Sequence, residues 1–150
     1  MKKMITLLVT AFITGSVFAG GPVTWSYSVK QLDANSYEIH LTAQIDKGWH
    51  LYAQQQPEDA IAIPTAIKFL KNPLLILDGK TTELGVLKKV KDESIGIEAW
   101  QYSNKVDFVQ KVTMKHKVKT NIKGTIKFQV CTDSECLPPA TQAFDLSLNG

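Results

Sequence analysis

The sequence predicts an all-β fold, two antiparallel sheets packed as a sandwich. Apolar side chains recur at every second position in several separate stretches. Gly, Pro, Asn and Asp cluster between those stretches. Nothing sustains helical spacing beyond a possible short turn at residues 57–60.

The elements follow in chain order. Lys2 and Lys3 open a basic segment, residues 4–13 are apolar, and Val17-Phe18-Ala19 offers small residues to a signal peptidase. This predicts a signal peptide over residues 1–19, cleaved after Ala19, and a single domain over residues 20–150. Thr10, Thr14, Gly15 and Ser16 interrupt the apolar run, which is too short to span a bilayer. No cysteine lies near the cleavage point to carry a lipid anchor. The expected product is an exported, soluble chain with no membrane insertion after cleavage.

The first strands are a hairpin. Residues 23–32 form one arm and Asp33-Ala34-Asn35-Ser36 the turn. On the second arm Tyr37, Ile39, Leu41, Ala43 and Ile45 are apolar, whereas Glu38, His40, Thr42, Gln44 and Asp46 are polar. That alternation marks a half-buried strand. It recurs at Val106, Phe108, Val112 and Met114, at Ile126, Phe128 and Val130, and at Phe144, Leu146 and Leu148. Weaker candidates are residues 66–71, 83–90 and 97–102, so seven or eight strands are expected. Trp25, Trp49 and Trp100 read as packing residues. The lysine-rich residues 111–123 read as a solvated strand face and its turn.

Charge narrows the partners. Without Lys2 and Lys3 the 17 basic residues fall to 15, against 14 acidic ones, and every basic residue is lysine. With no guanidinium for bidentate phosphate or base contacts, nucleic acid is a poor candidate partner. No Ser-His-Asp set, paired-carboxylate site or glycine-rich phosphate loop is visible.

The chemistry concentrates near the C-terminus. Cys131 and Cys136 are the only cysteines, and Leu137-Pro138-Pro139 follows them directly. Strand parity puts Ile126, Phe128 and Val130 on one face and Cys131 on the other. The prolines, lacking amide donors, discourage further ladder pairing, so the pair is expected on a stiff loop at the sandwich rim. Three readings are open. As a staple, a disulfide across so short a loop would add about 2 kcal/mol, less than a bridge between distant strands. As half of a zinc site, the pair would need two of His40, His50 and His116, which show no metal-ligand spacing. As a redox pair, one sulfur would be attacked and the other would resolve the mixed disulfide. Asp133 and Glu135, between the sulfurs, would then hold the thiol pKa near or above its ordinary value.

The run Phe128-Gln129-Val130-Cys131-Thr132-Asp133-Ser134-Glu135-Cys136-Leu137-Pro138-Pro139-Ala140-Thr141 resembles the active-site segment of the DsbD N-terminal periplasmic domain family, the disulfide bond corrector domains. Gly48-Trp49-His50-Leu51-Tyr52 is similar to that family's glycine–aromatic–Leu-Tyr strand, and the order of segments also agrees. The resemblance implies an immunoglobulin-like sandwich that works as a thiol–disulfide oxidoreductase of the protein-disulfide reductase type. A thioredoxin-like protein or domain would reduce the pair, which would pass electrons to periplasmic disulfide-bearing proteins with no cofactor beyond the redox-active disulfide. Cys136 would form the mixed disulfides and Cys131 would resolve them. Tyr52 and His50 match aromatic positions near the sulfurs. The family's cap carries an aromatic shield, where this chain has Asp92-Glu93-Ser94-Ile95-Gly96, leaving Ile95, beside Ser94, as the best shield. The family's full reductase also has a membrane domain and a thioredoxin-like domain. A free-standing module, or one part of a system split over several chains, is therefore implied here. The alternative, from another class, is a non-catalytic exported binding sandwich with a structural disulfide.

Overall fold

The computed structural model describes residues 21–149. The expected signal peptide and its cleavage site lie outside the described residues. Among those residues there are eleven strands and no helix: β1 (Val23–Gln31), β2 (Ser36–Ile45), β3 (His50–Tyr52), β4 (Ala66–Phe69), β5 (Leu75–Gly85), β6 (Lys88–Asp92), β7 (Ile97–Tyr102), β8 (Lys105–Met114), β9 (Thr120–Phe128), β10 (Val130–Cys131) and β11 (Ala140–Leu148). All pairings are antiparallel. The first sheet has the order β1-β2-β8-β5, the second β10-β3-β7-β6, and the third β11-β9-β4.

The expected hairpin forms β1 and β2. Asp33 Oδ1 accepts the amides of Asn35 and Ser36, each at 2.9 Å, which closes the turn as an aspartate side chain commonly does. Tyr37, Ile39, Leu41, Ala43 and Ile45 are all buried, and Val106, Phe108, Val112 and Met114 of β8 join them. The third sheet closes over this face. Tyr27 of β1 meets Phe144 of β11 at 6.1 Å between ring centroids, and Trp25 lies edge-on to Phe128 at 5.3 Å. Trp25 is in the core, while Trp49 and Trp100 are partly buried against it. The inner face of the second sheet adds Leu51, Tyr102 and Val130 to the same core.

Two expectations need correction. Residues 83–90 are not one strand: β5 ends at Gly85 and β6 starts at Lys88 in a different sheet. The stretch from Leu75 to Thr82, not anticipated, belongs to β5, which pairs with β8 along the first sheet's edge with a register shift between Asp78 and Thr82. An exposed, bulged edge strand has no buried alternate face, so period two does not mark it. The count rises to eleven also because β3 and β10 are too short for alternation to register.

The strand that carries the cysteines changes sheets. In the third sheet β9 pairs with β11, down to Phe128 opposite Ala140. Gln129 breaks the ladder, and Val130 and Cys131 then pair with Leu51 and His50 in the second sheet. Residues 129–139 are thus an excursion from one hairpin of the third sheet into the edge of the second.

Candidate functional site

Cys131 and Cys136 are joined by a disulfide, with Cα atoms 4.0 Å apart. The loop between them is held by its own polar groups. The Thr132 amide donates to the Glu135 carbonyl at 2.7 Å, and Thr132 Oγ1 accepts the amides of Glu135 and Ser134 at 3.1 and 3.3 Å. Beyond the bridge the Leu137 amide reaches the Val130 carbonyl at 3.0 Å, and Gln129 Nε2 donates to the Leu137 carbonyl at 3.1 Å. Pro138 and Pro139 follow without ladder pairing, as expected. The two cysteines are not equivalent. The Cys131 residue is 1% exposed, whereas Cys136 is exposed.

The floor beside the pair comes from β3. His50, Leu51 and Tyr52 are all buried, although successive side chains of a strand point to opposite faces. Both faces of the sheet are therefore covered at this point. Leu51 enters the core, while His50 and Tyr52 line a groove of about 560 Å³ on the outer face. Its other walls are the β6–β7 hairpin, through Val90, Asp92, Ile95, Ile97 and Ala99, then residues 61–63, and the cysteine loop through Thr132, Asp133 and Cys136. Residues 53–65 are pinned where they cross the sheet. The Gln56 side chain brackets the Trp100 backbone, donating to its carbonyl at 2.6 Å and accepting its amide at 2.9 Å. Buried Thr65 donates through Oγ1 to the Tyr52 carbonyl at 2.6 Å.

Every expected site residue falls in this neighbourhood, in different roles. Cys136, His50, Tyr52 and Ile95 line the groove, and Cys131 lies at its edge opposite His50. Ser94 does not line it. Its amide and hydroxyl bind Asp92 Oδ1 at 2.9 and 2.5 Å, which hold that carboxyl below its usual range and shape the hairpin tip. Gly96 completes the tip at φ 71°, a conformation that favours glycine. Ile95 is 57% exposed, so it stands at the groove's rim and leaves it open. The apolar wall Ile61-Ala62-Ile63 was missed, although four apolar residues (60–63) between Glu58-Asp59 and Pro64 could have flagged it.

Electrostatics at the floor are set by burial. His50 is 8% exposed, and loss of solvent holds its imidazole below the usual histidine range, with the Asp133 carboxylate pulling partly the other way. Burial pushes the Tyr52 phenol up. The other histidines are elsewhere: His40 lies 2.7 Å from Asp107 on the first sheet, and His116 is exposed after β8. A second cleft, about 660 Å³, is lined by Glu83, Trp100, Tyr102 and Gln110. Its carboxylate is already used, since Glu83 accepts from the Gln54 amide and the Tyr102 hydroxyl at 2.6 Å each.

The fold and site define a class, an immunoglobulin-like antiparallel sandwich with a paired-cysteine loop at its rim. The chain belongs to the family described as thiol:disulfide interchange protein DsbD, N-terminal, whose profile matches residues 22–148. Among solved structures, the reduced DsbD N-terminal domain of Neisseria meningitidis is similar at 19% identity, covering 84% of this chain and 86% of that one, with a TM-score of 0.51. The N-terminal periplasmic domain of ScsB from Proteus mirabilis is similar at 13% identity and a TM-score of 0.60, covering 90% of this chain and 50% of that one. The chain thus spans about half of the ScsB structure. No curated protein sequence matches it.

Proposed function

We propose that this chain is a thiol–disulfide exchange module that passes electrons between a thioredoxin-like donor and periplasmic disulfide-bearing proteins. The observation that carries the reading is the division of the pair: Cys136 open at a groove, Cys131 buried behind it. A staple gains nothing from an open sulfur, whereas exchange requires one. A donor thiolate attacks Cys136 Sγ, the S–S bond breaks, and Cys131 leaves with the electron pair and takes a proton. A second donor thiol then attacks the donor sulfur of that mixed disulfide, which releases Cys136 as a thiolate and completes the two-electron reduction. In the forward transfer, Cys136 attacks a substrate disulfide, and Cys131 expels the substrate thiolate by re-forming the bridge. The disulfide is the only redox group this scheme needs. Family membership supports the chemistry, and the export signal expected over residues 1–19 supports a periplasmic setting.

The test is the reduction potential of the pair, measured against glutathione or dithiothreitol buffers. An exchange module should lie above about −300 mV, and a value below that marks an inert structural bridge. The cap has its own expected result. Ile95→Ala, at the groove's rim, should raise by a few-fold the rate at which dithiothreitol opens the disulfide. An unchanged rate in a stopped-flow reduction assay would place the shield in another wall, such as residues 61–63.

A further inference from the structure

The exchange scheme leaves one proton without a carrier. Cys131 is 1% exposed, and a thiol buried in apolar surroundings resists ionisation. Asp133 and Glu135, in the loop that follows it, add negative charge that disfavours a thiolate further. Yet Cys131 must become a thiolate to resolve a mixed disulfide on Cys136.

His50 is placed to take that proton. It is the cross-strand partner of Cys131. Directly opposed residues on one face of an antiparallel pair hold their Cβ atoms about 4.5–5.5 Å apart, within reach of an imidazole. The ring is oriented by Tyr52, whose hydroxyl lies 3.4 Å from Nε2 and whose own ring meets it edge-on at 5.4 Å. The titratable groups around it are Tyr52 on its own strand, Cys131, Asp133 and Cys136 from the cysteine loop, and Asp92 from the β6–β7 hairpin. Residues 61–63 contribute only apolar side chains.

We infer that His50 is the general base that accepts the Cys131 proton in the resolving step. The inference rests on the exchange reading. Neutral His50 takes the thiol proton and becomes imidazolium. The Cys131 thiolate attacks Cys136 Sγ, the bond to the partner sulfur breaks, and the partner leaves as a thiolate. The disulfide is re-formed, two electrons pass to the partner, and the imidazolium returns its proton to that thiolate or to solvent. The sign follows from burial, which lowers the imidazole from its ordinary value of 6.5. The base is therefore available at neutral pH and is lost as pH falls through that lowered value.

The experiment mixes the fully reduced protein with a dithiobis-nitrobenzoate reagent in a stopped-flow instrument across a range of pH. Attack by Cys136 releases the first nitrothiobenzoate and resolution by Cys131 the second. In the wild type the second phase should be flat around neutrality and fall at an inflection below pH 6.5. His50→Gln should keep the first phase, slow the second about tenfold or more near neutrality, and replace the plateau with a rate that climbs with pH. Asp133→Asn, a change at an exposed residue, should move the wild-type inflection to lower pH, because the Asp133 charge supports the imidazolium. A second phase in His50→Gln with wild-type rate and profile overturns the inference, as does an inflection that ignores Asp133→Asn. If His50→Gln does not fold, the Asp133→Asn arm decides. A wild type that releases no second nitrothiobenzoate overturns the exchange reading itself, a different result from either.

Discussion

Cys131→Ser should accumulate a covalent adduct through Cys136 in cells, and Cys136→Ser should accumulate none through Cys131. The asymmetry follows from exposure. Cys136 is exposed and lines the groove, while Cys131, in β10 of the second sheet, is buried. On the proposed exchange scheme the wild-type mixed disulfide should be short-lived, because the turn from Thr132 to Glu135 holds Cys131 beside Cys136 and no encounter with another molecule is needed. Removing that sulfur leaves only external thiols to break the adduct, so its steady-state level should rise by about a hundredfold or more. Non-reducing gels with mass spectrometry of the excised band would read this. Cys131→Ala guards against the cost of a buried, unpartnered hydroxyl. Equal adduct yields from the two positions would remove the basis for assigning attack to Cys136. No adduct with a thioredoxin-like protein from either would remove the proposed partner class.

Much of this site was legible in the residues, for reasons that also explain the omissions. Alternation reports burial on one face, so it located β2, β8, β9 and β11, whose inner sides fill the core. The cysteine loop was legible because prolines limit the backbone regardless of tertiary context. β5 was not, because both its faces are mostly exposed and its bulge near Gly79 breaks the period. The groove is a tertiary product. Ile61, Ile95 and Cys136 are far apart in sequence, and what gathers them is the crossing of β9 into the second sheet at Gln129 and the pinning of residues 53–65 by Gln56 and Thr65. His50 carried a faint signal. A polar residue beside Leu51 and Tyr52 in a three-residue strand is ambiguous in the sequence, and only its register opposite Cys131 gives it a chemical neighbour.

Gly124→Ala should be among the most destabilising single substitutions in the chain, with a loss of about 3 kcal/mol or more. Gly124 sits in the middle of β9, with Phe69 of β4 opposite on one side and Phe144 of β11 on the other. The two rings meet edge-to-face at 5.5 Å, and they do so over a residue with no side chain. An added Cβ would lie 2.2 Å from the Lys68 carbonyl oxygen and 2.5 Å from Phe144 Cζ. The first is backbone, fixed by the β4–β9 ladder, and cannot withdraw without loss of strand pairing. The second belongs to a ring only 4% exposed, with little room to turn. Thermal unfolding followed by circular dichroism should show the midpoint falling by roughly 10 °C. Gly124→Ala combined with Phe144→Leu separates the two clashes. Partial recovery is expected, since the carbonyl contact remains, and a midpoint unchanged by Gly124→Ala alone would mean that the third sheet yields at β4. The same variant separates fold from function. A reduction potential compares two folded forms, oxidised and reduced, and strain at Gly124 weighs on both alike. Four residues separate it from Gln129, where the chain leaves the third sheet, so the loop's own hydrogen bonds are untouched. Below its midpoint the variant should therefore keep the wild-type potential while losing stability, and a shifted potential would show that the third sheet is coupled to the cysteine loop.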